Sequence, residues 1–250
     1  MKYIYVIIFF VLFASPCFSD EINDNDLKTI QDGDTNSASV VIMKVRQIYG
    51  KEGKNAIVPA IPALINRTMN DLKILESGKI GEGEGELLGD LLWALSISGD
   101  KRVEPVLLEA VLSGKVYLKE IPKGFLNIGK SSFPVLLDAL KSVNDSTKHF
   151  VSASRIQVIF TLSQMEEYDS TGTYFTENDK TIIKQELLKC INDENKGVRR
   201  FAVKALGYFG NKSDIPVLTE IKNSDPFVSK KGDYQVRIEA EKAIENIMKK

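Results

Sequence analysis

Residues able to do bond-breaking chemistry are few in this chain, and they stand apart. His149 is the single histidine, and Cys190 lies in the apolar stretch "LLKCIND". Nucleophilic catalysis wants a serine or cysteine beside a base that a third group orients, so a lone histidine is a poor start. No H-x-x-x-H, C-x-x-C or carboxylate cluster at ligand spacing accompanies it. The expectation is therefore no catalytic residue, no metal and no cofactor, with Cys190 a buried structural residue.

Two stretches imitate functional loops. "ESGKIGEGEGELLGD" (76–90) offers bare backbone N–H groups, but the G-x-x-x-x-G-K-[ST] spacing is absent and Glu82, Glu84 and Glu86 would repel a phosphate. It reads as an acidic linker over 76–86. "MEEYDSTGTYFTENDK" (165–180) places Asp169, Ser170, Thr171 and Gly172 together, yet one carboxylate is far short of the oxygens that Ca²⁺ needs. This stretch reads as an insertion loop over 167–177, either an exposed excursion without a site or a partner contact through Tyr174 and Phe175.

Side chains suited to binding are easier to find. Glu109, Asp138 and Glu220 each stand four residues after a proline, about 130° from the apolar stripe of their own helices at 100° per residue. They should point outward together, as a column for a basic segment of a protein partner or as an ordinary solvated face. Trp93 is either a local core filler or an exposed anchor, a role in which tryptophan is enriched.

The elements that must hold these residues repeat. "ALSISGDKRVEPVLLEAV" (94–111), "FLNIGKSSFPVLLDAL" (125–140) and "ALGYFGNKSDIPVLTEI" (205–221) share a Gly, a short gap, then a Pro that opens an apolar helix; "GKNAIVPAIPALI" (53–65) is looser. Gly suits the turn past a helix end and Pro the first turn of the next, so each pair marks a corner. The preceding helices repeat too: Arg155, Arg199 and Arg237 are each followed at fixed helical spacing by small and aliphatic residues, as in Ala202, Ala205 and Leu206.

This spacing predicts first helices near 38–49, 84–97, 116–127, 150–165, 196–209 and 233–248. Second helices are expected near 55–69, 101–113, 131–142, 178–191 and 212–223. The class is all-α, with about five helix pairs over 38–250 and a C-terminal capping helix.

Residues 1–19 read separately, as a secretory signal peptide with a basic start at Lys2 and a short apolar run, followed by a flexible segment over 20–37. Export to a periplasm or beyond the cell follows. Lipidation at Cys17 and an uncleaved anchor are the alternatives. Cleavage leaves 32 basic against 34 acidic side chains (33 − 1 against 34), a balance that gives no reason to expect nucleic acid. It also leaves no stable membrane insertion and no cysteine pair for a disulfide.

Asp193, Val198, Arg199, Ala202, Ala205, Leu206, Gly207, Gly210, Pro216 and Leu218 together resemble the HEAT-repeat family, in particular bacterial HEAT-like units related to phycobilin lyase repeats. The resemblance implies a right-handed α-α superhelix with second helices on its concave side. It also implies a hydrogen-bond ladder between repeats through Arg155, Asp193, Arg199 and Arg237. Leu87 and Leu88 replace the Val-Arg pair, so the ladder should be intermittent. The functional expectation is an exported, non-catalytic protein-binding scaffold; the alternative, carried only by the resemblance, is a cofactor-attachment factor or lyase-like enzyme.

Overall fold

The computed structural model describes residues 21–116, 118–145 and 151–250. The expected signal peptide, Cys17 and His149 lie outside the described residues. Among those described there are twelve α-helices and no strand: α1 (Asp24–Asp32), α2 (Thr35–Glu52), α3 (Ile61–Glu76), α4 (Glu82–Ser98), α5 (Glu104–Leu112), α6 (Glu120–Ile128), α7 (Phe133–Asn144), α8 (Ser152–Tyr168), α9 (Glu177–Cys190), α10 (Lys196–Phe209), α11 (Ile215–Ser224) and α12 (Gln235–Met248). The fold is all-α.

The corners follow the Gly-to-Pro phrase. Short 3₁₀ turns at Lys101–Val103, Lys130–Ser132 and Lys212–Asp214 lead into α5, α7 and α11, each with a proline in its first turn. The missing proline N–H has no helical partner to lose there. Gly99 turns with φ +64, a conformation in which a Cβ would also stand 2.9 Å from the Asn127 carbonyl oxygen.

Two stretches differ from their sequence reading. Most of 21–37 is helical, where flexibility is expected of 20–37: Asn23 and Asp26 form a capping box on α1, Asp34 caps α2, and Ile30 is fully buried. Local capping and one apolar anchor outweigh the polar composition. The linker at 76–86 shrinks to 77–81, because α3 runs through Glu76 and α4 begins at Glu82. The Glu84 carboxylate accepts from the Gly81 N–H at 2.8 Å, so acidity that argued for a linker serves a helix N-terminus.

Alternate helices pack together. α2 lies on α4, α4 on α6, α6 on α8, α8 on α10 and α10 on α12; α3 lies on α5, α5 on α7 and α7 on α9, while α1 covers α2 and α3. One apolar cluster runs from Ile30 to Ile247 between them. Small residues set the closest approach: Gly207 on α10 and Ala243 on α12 are both buried, and a Cβ on Gly207 would stand 3.1 Å from the Ala243 Cα. The outer side of α12 exposes Glu241, Lys242, Glu245 and Lys249, which suits an end of the stack.

Candidate functional site

A cleft of about 550 Å³ opens across four helices around Trp93. Tyr49 comes from α2, Trp93 and Ile97 from α4, Glu120, Lys123, Leu126 and Asn127 from α6, and Tyr168 from the end of α8. Neighbouring burial decides how α4 presents its ring. Leu91, Leu92, Ala94 and Leu95 are all fully buried, which leaves Trp93 on the flank of the helix, half-buried.

Trp93 is held from two sides. The Tyr49 ring meets it edge-on, centroids 6.0 Å apart at 84°, and the Arg46 guanidinium lies 4.4 Å from its centroid. Arg46 is in turn paired with Asp90 on α4. Across the cleft, the Lys123 ammonium stands 5.2 Å from the Tyr168 ring. Among the described residues, neither the Trp93 indole N–H nor the Tyr49 hydroxyl has an acceptor. The Tyr168 hydroxyl is occupied, donating to Gln164 Oε1 at 2.9 Å. Burial, with Glu167 and Glu120 nearby, pushes its ionisation above the ordinary tyrosine value.

Close packing makes the floor. Gly124 allows α6 to approach α4: a Cβ there would stand 2.7 Å from Leu107 Cδ1 and 2.9 Å from Ser96 Oγ. The Asn127 amide then donates to the Ser96 carbonyl at 3.0 Å, fixing α6 against α4. Ser96 Oγ is buried at this joint without a partner.

Glu109, Asp138 and Glu220 stand on three separate helices. They occupy the sixth positions of α5, α7 and α11, each followed by a buried residue, and among the described residues none of the three carboxylates is paired. The equivalent position of α9, before buried Ile183, is Ile182, which interrupts the acidic row between Asp138 and Glu220. Glu220 lines a separate concavity with Asp193, Arg199 and Asp225.

Tyr174 and Phe175 are not partner contacts but core. Tyr174 donates to the Gly129 carbonyl at 3.0 Å and shares a hydrogen bond with Ser132 Oγ at 2.7 Å. Phe175, 3% exposed, is wedged edge-on between Phe133 and Phe209 at 5.4 and 5.5 Å. The loop narrows to 169–176 because α8 continues through Tyr168 and α9 starts at Glu177. Asp169 shapes it: burial works against the charge, but bonds from the Thr171 hydroxyl and the Tyr174 and Thr171 N–H groups hold the carboxyl below its usual range.

Three of the four expected ladder residues, Arg155, Asp193 and Arg199, meet directly, and Arg237 joins them only through Asp225. Arg155 pairs with Asp193 and donates to the Val143 carbonyl at 2.9 Å. Arg199 pairs with Asp225 at 2.8 Å and donates to the carbonyls of Asp193 and Glu194 at 2.9 and 3.1 Å. Arg237 donates to the Asp225 carbonyl at 2.7 Å and stacks on Tyr234. Each arginine thus reaches a corner beyond its own helix. Cys190 is buried, and burial pushes its thiol up to about 11, against the pull of Arg155.

Comparison with protein-family models, curated proteins and solved structures finds no match to this chain. Its chemistry must be read from its own geometry. Among the described residues no helix is long and apolar enough to cross a membrane, and no group of three or more His, Cys, Asp or Glu side chains could hold a metal ion.

Of the residues in the cleft, sequence reasoning singled out Trp93 alone. Tyr49, Lys123 and Tyr168 come from three distant segments. One signal pointed to Tyr49: it and Trp93 are 44 residues apart (93 − 49), the same interval that separates Arg155 and Arg199 (199 − 155). A shared period puts two rings on adjacent first helices.

Proposed function

We propose that this chain is an exported, non-catalytic binding scaffold, built as a HEAT-like superhelical solenoid, whose cleft around Trp93 receives a partner protein. The observation that carries this reading is the cleft itself. Three aromatic rings border one concavity, and among the described residues the hydrogen-bond donors of Trp93 and Tyr49 have no acceptor. Rings of this kind give large contact area at low entropic cost and anchor interfaces.

The serial packing of α2, α4, α6, α8, α10 and α12 supports the solenoid part of the proposal, because repeats that touch only their neighbours build an extended surface. Export rests on the apolar N-terminus. The acidic positions Glu109, Asp138 and Glu220 supply a second contact for a basic segment, weaker because Ile182 divides them.

Capture from a cell-envelope extract tests the reading. Tagged wild-type chain is compared with Trp93→Ala and with a Glu109→Gln, Asp138→Gln, Glu220→Gln triple variant at low and high salt. A partner lost with Trp93→Ala and kept by the triple variant is expected. Loss in the triple variant and at high salt alone would move the contact to the acidic positions.

A further inference from the structure

Arg155 on α8 and Arg199 on α10 each work in two directions. Arg155 Nε donates back to the Val143 carbonyl, twelve residues earlier (155 − 143), at 2.9 Å, while its Nη1 pairs with Asp193 in the corner that leads to α10. Arg199 donates back to the carbonyls of Asp193 and Glu194 and pairs forward with Asp225, ahead of α12. A guanidinium suits this double duty, because its donors are fixed in one plane.

Arg237 on α12 repeats only the backward half. Its Nε donates to the Asp225 carbonyl at 2.7 Å, again twelve residues earlier (237 − 225), and its guanidinium lies 4.2 Å from the Tyr234 ring centroid. Among the described residues no corner follows α12, and neither Nη group of Arg237 has an acceptor. The Tyr234 ring and the backbone bond hold the fork in place, so it stands as one half of a carboxylate pair.

The surface beside the fork is apolar and basic. Of nine exposed large apolar side chains among the described residues, three, Val228, Tyr234 and Ile238, fall within the stretch 228–238. Ile238 stands one helical turn after Tyr234, while Val228 and Tyr234 flank a turn closed by the Ser229 N–H on the Asp233 carbonyl at 2.8 Å. Lys230 and Lys231 are exposed on that turn, and with Arg237 against Asp233 they give the stretch a net charge of +2 (3 − 1). An arginine and a tyrosine among apolar side chains are what strong contact points are made of.

The two filled positions define what the third lacks. Asp193 follows Ile191 by two residues and Asp225 follows Ile221 by four, and both isoleucines are buried. We infer that the α12 end of the stack is a second docking surface, for an acidic segment of another protein in which an aspartate stands close behind an apolar side chain. The carboxylate takes the place of the next corner's aspartate on the Arg237 Nη groups, the apolar side chain lies on Tyr234 and Ile238, and Lys230 and Lys231 attract the remaining acidic residues. This surface is separate from the Trp93 cleft and does not depend on it.

Fluorescence anisotropy of a dye-labelled peptide of four Leu-Ser-Asp units, titrated with the full chain, tests the inference. Saturable binding is expected, about tenfold weaker when asparagine replaces each aspartate. Arg237→Lys keeps the charge but not the fork and should weaken binding about fivefold, and Ile238→Ser, at an exposed position, about threefold. Circular dichroism checks that both variants stay folded, and Trp93→Ala should bind as wild type does. Equal affinity for the two peptides, wild-type affinity in either Arg237→Lys or Ile238→Ser, or loss of binding in Trp93→Ala overturns the inference. So does a chain that ignores the peptide, whether it sediments with phosphatidylglycerol vesicles, as a membrane-binding surface would, or self-associates through Arg237, as a seat for a second copy would.

Discussion

From α8 to α12 neighbouring helix pairs are joined by arginines that reach adjacent corners, Arg155 and Arg199 the following one and Arg237 the preceding one, whereas from α1 to α7 the joints are made by unrelated side chains. In the first region Arg155, Arg199 and Arg237 grip Asp193, Asp225 and adjacent backbone carbonyls in a repeating way. In the second, Arg67 donates to the Gly33 carbonyl at 2.7 Å, Lys115 to the carbonyls of Leu75 and Glu76 at 2.9 Å, and Asn127 to Ser96. The lesson is a division of labour. Where the repeat is regular, side chains are spent on holding the stack; where it departs, as with Leu87 and Leu88 in place of Val-Arg, the first helices are free to carry Tyr49, Trp93 and Lys123 at the surface.

The sharpest break of this comparison lies at the joint that the 169–176 loop makes between the regions. Phe175→Ala removes a ring wedged between Phe133 and Phe209 and should cost about 4 kcal/mol of stability in urea denaturation. A cost below about 1 kcal/mol would mean that the loop is not part of the core. Next comes the ladder. Arg199→Ala leaves Asp225, 5% exposed at its side chain, without its cation and should cost about 3 kcal/mol. Arg46→Ala breaks a pair that is 44% and 39% exposed and should cost under about 1 kcal/mol. Equal costs for the two arginines would erase the distinction between frame and site.

A smaller effect concerns pH. The buried Cys190 thiol titrates near 11 in the folded chain, above its ordinary value of 9.0, so the folded state holds its proton more tightly. The stability tied to it is fully present below about pH 9 and is lost as pH rises toward 11. Denaturation midpoints measured across that window should fall less steeply in Cys190→Ala than in wild type. The smallest expected stability effect is at the cleft: Lys123→Ala should change folding by no more than about 0.5 kcal/mol while weakening partner capture.

Much of the architecture was legible because it depends on local chemistry. The Gly-to-Pro corners, the Ala pairs of α10 and α12 and the Arg phrase each act within a few residues or one helix face, and the helix starting at Lys196 ends at Phe209 as the pattern reads. The site was less legible because it depends on assembly. Trp93 announced itself by type, but Tyr49 and Tyr168 become cleft residues only once α2, α4, α6 and α8 are stacked. The reading of Tyr174 and Phe175 went astray for a related reason. A polar insertion hides its apolar pair by folding back onto Phe133 and Phe209, which no local pattern records.

Hydrogen-exchange protection on the full chain, with and without its captured partner, tests the division of labour most directly. The account predicts new protection in α4 and α6 and at the ends of α2 and α8, with α10 to α12 unchanged. Protection centred instead on α5, α7 and α11, around Glu109, Asp138 and Glu220, would contradict it.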